Sequence, residues 1–168
     1  MSLRSLILAG VLSLGLSAPQ VLSAPIDWTY YEDPDFGFEV ELPLGLFRPE
    51  RDEPGALTLL EDGGDGQINI YAGRNDDGMS IADYEDALSR GEQVESVTYR
   101  TGGRTWFVLS GFFRPDERNE EPLIFYTKFM LSADGDRFSA FEISFPQSDK
   151  PRLAPIVERI EDSFTRPL

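Results

Sequence analysis

The chain has 168 residues and carries 15 basic against 30 acidic side chains, a net charge of −15. Such a balance repels nucleic acid and anionic membrane surfaces. It contains no cysteine and no histidine, which removes disulfide support, Cys-nucleophile chemistry, the Ser-His-Asp triad and ordinary zinc sites.

Residues 1–23 read as a signal peptide. Arg4 supplies the positive start, and Leu6–Leu16 is an apolar run of h-region length, short of the roughly 20 apolar residues that span a bilayer. Ala18 and Ala24 are each followed by proline, a poor residue just after a cleavage point, so cleavage is expected after Ser23. No cysteine follows the run, so a lipoprotein anchor is excluded. Residues 24–168 then have the length of one domain. It is expected in the periplasm or outside the cell, with no stable membrane insertion of the mature chain.

Trp28–Asp35 is aromatic and acidic and is expected to tie the N-terminus across the domain edge. In 36–43, Phe36, Phe38, Val40 and Leu42 alternate with Gly37, Glu39 and Glu41, the pattern of a strand with one wet face. Leu44–Gly55 is broken by Gly45, Pro49 and Pro54 and reads as an irregular connection with Leu46 and Phe47 tucked inward. Ala56–Glu61 and Gln67–Gly73 predict a hairpin around a glycine-rich turn, in which Asp62 and Asp65 could also hold a cation. The turn lacks the EF-hand ligand order and the GK[ST] ending of a phosphate loop. Ser80 and Asp83 have capping-box spacing; Ile81, Tyr84, Ala87 and Leu88 share a helical face, and Gly91 would end the helix. Val94–Arg100 reads as a strand.

Three apolar segments follow, Trp106–Phe113, Leu123–Leu131 and Arg137–Phe145, each bounded by turn or charged residues. They predict an antiparallel meander. Ser110 before Gly111 lacks the G-x-S-x-G elbow, because Val108 and Phe112 stand at the flanking positions, so it is read as structural. The charged loop Arg114–Pro122 is expected to be exposed. A three-residue loop Ala133-Asp134-Gly135, with Gly135 left-handed, would pair Leu131 with Arg137, Phe125 with Ile143 and Leu123 with Phe145. That register places Tyr126, Lys128 and Glu142 on one face, as a candidate binding site for an anion or polar ligand or simply as a structural ion pair. Finally, Leu153, Ile156, Val157, Ile160 and Phe164 form a helical stripe, with Ser148 or Asp149 as the expected cap and Pro151 in the first turn. Phe141, Ile143 and Phe164 are expected in the core. The fold class is α+β, an antiparallel sheet covered by helices.

With Tyr30-Tyr31, Asp35, Gly37-Phe38 and Pro43 near the mature start, the chain resembles the PsbP-like family. The likeness resumes in Ile124–Leu131, the Asp134-Gly135 turn, Phe138–Phe145 and the closing Asp162-Ser163-Phe164. It implies an α/β/α sandwich in an exported, cofactor-poor domain. Family members in phototrophs are extrinsic subunits or assembly helpers of photosystem II, and the family shares no catalytic residues to carry over. Metal sites proposed for some members use histidine, so no metal site and no photosystem role transfers. The reading that follows is a non-enzymatic accessory domain that binds another envelope protein and needs no cofactor. The alternative is a small-ligand or cation-binding module built on the Lys128/Glu142 face or the Asp62/Asp65 turn.

Overall fold

The structure, a computed structural model, describes residues 26–53, 55–115 and 121–168, without the side chains of 51 and 52. The expected signal peptide, and residues 116–120 of the charged loop, lie outside the described residues. In chain order the elements are β1 (Thr29–Glu32), β2 (Glu39–Leu42), β3 (Phe47–Glu53), β4 (Ala56–Glu61), β5 (Gln67–Arg74), α1 (Ile81–Ser89), β6 (Val94–Gly102), β7 (Trp106–Phe113), β8 (Leu123–Leu131), β9 (Arg137–Pro146) and α2 (Lys150–Ser163).

Alternation along the strands decides what each face of the main sheet meets. Seven strands lie in the order β3-β4-β5-β9-β8-β7-β6. One face presents Leu57, Leu59, Ile68, Ile70, Ile124, Phe141, Ile143 and Phe145 to the stripe Leu153, Ile156, Val157 and Ile160 of α2. The β1–β2 ribbon lies on the same side and adds Val40 and Leu42. The other face carries Phe107, Leu109, Phe125, Phe129, Leu131 and Ala140, packed against Ile81, Tyr84 and Leu88 of α1. The result is an antiparallel sheet between helical layers, an α+β sandwich. Phe141, Ile143 and Phe164 are all buried, as expected.

Local signals placed both helices. The Ser80 side chain accepts from the Asp83 N–H while the Asp83 carboxylate accepts from the Ser80 N–H, a complete capping box. Hydrogen bonding to Ser80 holds the Asp83 carboxyl below its ordinary range. Gly91 follows the C-cap Arg90 and ends α1 as expected, its N–H donating to the Leu88 carbonyl at 3.2 Å, without a left-handed φ. Helix α2 follows Asp149 with Pro151 in its first turn as expected, but without the expected side-chain cap from Ser148 or Asp149. Glu121 instead receives the Ser148 N–H and hydroxyl at 3.1 and 2.7 Å, just ahead of it.

Two further expectations, about strands, are corrected. Part of Leu44–Gly55 is a strand, β3, on the sheet edge. Its register shifts between Pro49 and Arg51, and an edge bulge is where a strand tolerates proline. The second correction is the β8–β9 register. Leu131 pairs with Phe138, Phe125 with Ser144 and Leu123 with Pro146, one residue from the expected pairing. The reason lies in the turn. The Ser132 N–H donates to the Arg137 carbonyl at 2.9 Å, and the Ser132 hydroxyl accepts from the Arg137 N–H at 3.0 Å and donates to Asp134 Oδ1 at 2.6 Å. Ser132 and Arg137 therefore close a four-residue loop, with Gly135 left-handed at φ +85° as expected. A slip of one residue exchanges the faces.

Candidate functional site

The exchanged faces divide the site that the sequence had placed together. Tyr126 and Lys128 point to the α2 side, whereas Glu142 pairs with Thr127 in the register and points to the α1 side. Lys128 and Glu142 form no ion pair. Their place is taken by Glu161 of α2, which accepts the Tyr126 hydroxyl at Oε2. Lys128 Nζ donates to the Glu161 carbonyl at 2.9 Å and lies 3.8 Å from Oε1. Burial, and then the bond to Glu161, push the Tyr126 hydroxyl far above its ordinary value, so it remains a neutral donor. Glu161 was absent from the sequence reading. Its signal was indirect: two polar side chains on a face that a helix must cover call for an acid on that helix.

A double-mutant cycle on Lys128 and Glu161 should show coupling of about 0.5 kcal/mol or more, and the same cycle on Lys128 and Glu142 should be additive within about 0.5 kcal/mol. Urea denaturation of the single and double variants reads both.

Beside this trio, a groove of about 390 Å³ opens between α2 and strands β6 to β9. Ile124, Tyr126 and Phe145 line it from the sheet, Ala154 and Val157 from the helix, and Lys150, Glu158 and Glu161 are its charged groups. Tyr99 of β6 flanks it and is 54% exposed. Ser110 also lines the groove, but its hydroxyl donates to the Phe125 carbonyl at 2.8 Å. It is structural, as read from the sequence.

The glycine-rich turn turns out to be a lock. Glu61 is buried beneath it, accepting the Gly66 N–H at 3.0 Å and pairing with Arg152 of α2. A Cβ at Gly64 would lie 2.3 Å from Glu61 Oε2, so close approach, rather than a cation, explains that glycine. Asp62 pairs with Arg48 at 3.0 Å. Among the described residues no three acidic side chains gather as a metal site would require.

On the α1 side, Thr127 Oγ1 donates to Glu142 Oε2 at 3.2 Å. Burial pushes the Glu142 carboxyl upward, and the threonine bond opposes this only in part. The native state therefore holds that proton more tightly than the unfolded chain. Stability should fall as pH rises from the ordinary glutamate value of 4.5 through the raised folded value, then level off. Melting temperatures against pH should show this slope in the wild type and its loss in Glu142→Gln.

No protein-family model matches the sequence, and no curated protein matches it. Solved structures do match. A cyanobacterial PsbP (CyanoP) from Synechocystis sp. PCC 6803 superimposes with a TM-score of 0.58 at 11% identity, covering 90% of this chain and 98% of its own. The Ran-binding protein Mog1p of Saccharomyces cerevisiae gives 0.57 at 9% identity, with 84% and 96% covered. The fold is that of PsbP and Mog1. A point mutant of Mog1 agrees, at a TM-score of 0.56 and 10% identity. The PsbP-like architecture inferred from Tyr30-Tyr31 and the Asp134-Gly135 turn is thus the observed one. At such identities the likeness is one of fold, and the PsbP-like fold brings no site residue with it. No helix among the described residues is long and apolar enough to cross a membrane.

Proposed function

We propose that this PsbP-like domain is a non-enzymatic protein-binding module of the cell envelope, exported by residues 1–23, and that its partner docks in the groove between β6 and α2. The groove carries the proposal: an apolar floor, a half-exposed tyrosine beside it and two glutamates along one side. A concave site with an apolar floor and a few polar groups around it suits binding. The net charge of −15 selects the occupant, a partner segment presenting an apolar side chain flanked by lysine or arginine. Protein binding is within the reach of this fold, since Mog1p is a Ran-binding protein. Export rests on Arg4 and the Leu6–Leu16 run.

An array of peptides with apolar residues between basic ones should retain the protein, less so as salt rises. Tyr99→Ala and Glu158→Lys should each abolish retention, whereas Tyr30→Ala on the distant β1 should not. Equal retention of all the variants would place docking elsewhere. Export is checked separately, by mass spectrometry of the protein from its own host, where a mature N-terminus at Ala24 is expected.

A further inference from the structure

The face opposite the groove holds a second cavity, of about 570 Å³, to which α1 contributes no residue. Asn69 and Glu142 line it, and both belong to a polar row in the register: Thr58 faces Asn69, Asn69 faces Glu142 and Glu142 faces Thr127. These residues belong to four adjacent strands at the middle of the sheet. Farther along the same face, beneath α1, Phe129 and Ala140 are buried core.

Glu142 is the unusual member. Two strand carboxylates on the α2 side have arginine partners there: Glu61 pairs with Arg152, and Glu41 with Arg159 at 2.7 Å. Glu142 has the Thr127 hydroxyl and, among the described residues, no cation. The amide beside it is fixed, because Asn69 Oδ1 accepts from Thr58 Oγ1 at 3.2 Å and from Gln67 Nε2 at 3.0 Å. Gln67, the donor of that bond, and Ser144 line the cavity as well. Phe113 and Leu123 supply an apolar wall. Arg48 stands at the rim, but Glu50 and Asp62 hold it at 3.3 and 3.0 Å, and Asp65 adds a negative charge.

We infer that this cavity binds a small nitrogenous cation, a guanidinium or ammonium group, with Glu142 as its counter-charge. The chemistry is a carboxylate lacking a cation, neighbouring oxygen acceptors and an aromatic wall suited to a cation. A neutral polyol would leave the Glu142 charge uncompensated, and an anion would be repelled. The cation can come from a free amine or from an arginine side chain, and both offer the same N–H groups.

Four probes test this by NMR titration of the purified protein: agmatine, N-acetyl-arginine amide, its neutral isostere N-acetyl-citrulline amide, and glucose as a polyol. The guanidinium probes should shift the Asn69 side-chain amide and the Glu142 carboxyl carbon, and should lower the pH at which Glu142 titrates. Glu142→Gln, which can keep the Thr127 bond, should weaken binding at least about tenfold while its melting temperature at pH 7 does not fall. Binding of both guanidinium probes identifies the shared group as the determinant; binding of agmatine alone identifies a free amine as the source. Equal affinity for citrulline, binding of glucose alone, undiminished binding by Glu142→Gln, or no shift with any probe would each overturn the inference. Tyr99→Ala should bind the guanidinium probes as the wild type does, which separates this cavity from the docking groove.

Discussion

Phe164→Ala should lower the unfolding free energy by about 3–5 kcal/mol. The ring follows the last residue of α2, where the chain turns extended, and it is 4% exposed. It lies 5.6 Å from the ring of Phe38 and 5.2 Å from that of Phe141, the latter edge-on. Three layers meet on this side chain: the approach to β2, the centre of the main sheet and the helix. Each loses packing if the ring is removed, and rigid strands cannot close the space. Phe164→Leu should cost markedly less, because most of the volume remains. Urea denaturation gives both values, and a loss below about 1 kcal/mol for the alanine variant, the size expected at an exposed site, would contradict the docking of α2 described above.

The second large effect belongs to Arg152. Its partner Glu61 has a side chain only 2% exposed, while Arg152 itself is 45% exposed and also meets Asp149 at 2.9 Å. Arg152→Met leaves a buried carboxylate without its cation. Loss of one partner from a fully buried pair costs about 3–5 kcal/mol, and the exposure of the arginine brings the expected figure to about 2–3 kcal/mol. Adding Glu61→Gln should recover much of that loss, since the amide can occupy the same turn without a charge. Gly64→Ala should be destabilising by the same route, by forcing Glu61 away from the turn. A double variant no more stable than Arg152→Met would show that the charge of Glu61 is not what matters.

Patterns confined to one segment were legible in the sequence. The alternation in Glu39–Leu42, the capping box at Ser80 and Asp83 and the stripe from Leu153 to Ile160 each became the expected element. So did the core positions Phe141, Ile143 and Phe164. The β8–β9 register was not legible, because two loop lengths were open to the same residues and a serine hydroxyl chose between them. Everything that depended on register moved with it, above all the pairing of Lys128 with Glu142. Glu161 was hidden for another reason: its partners lie on β8, and no local pattern links them. The groove beside Tyr99 is lined from α2 and from four strands, β6 to β9, a property of packing rather than of any motif.

The position of β9 in the sheet carries a consequence for how the chain comes together. Strands β3 to β5 form one antiparallel run and β6 to β8 another, and β9 stands between them, bonded to β5 on one side and β8 on the other. Until residues 137–146 are available, the two runs have no common neighbour and neither core can close. Long-range pairing of this kind must wait for a large loop to be drawn in. Synthesis from the N-terminus therefore delivers two incomplete halves before the piece that joins them. A chain ordered in this way stays open until late, the state in which a polypeptide can still be threaded through a narrow channel.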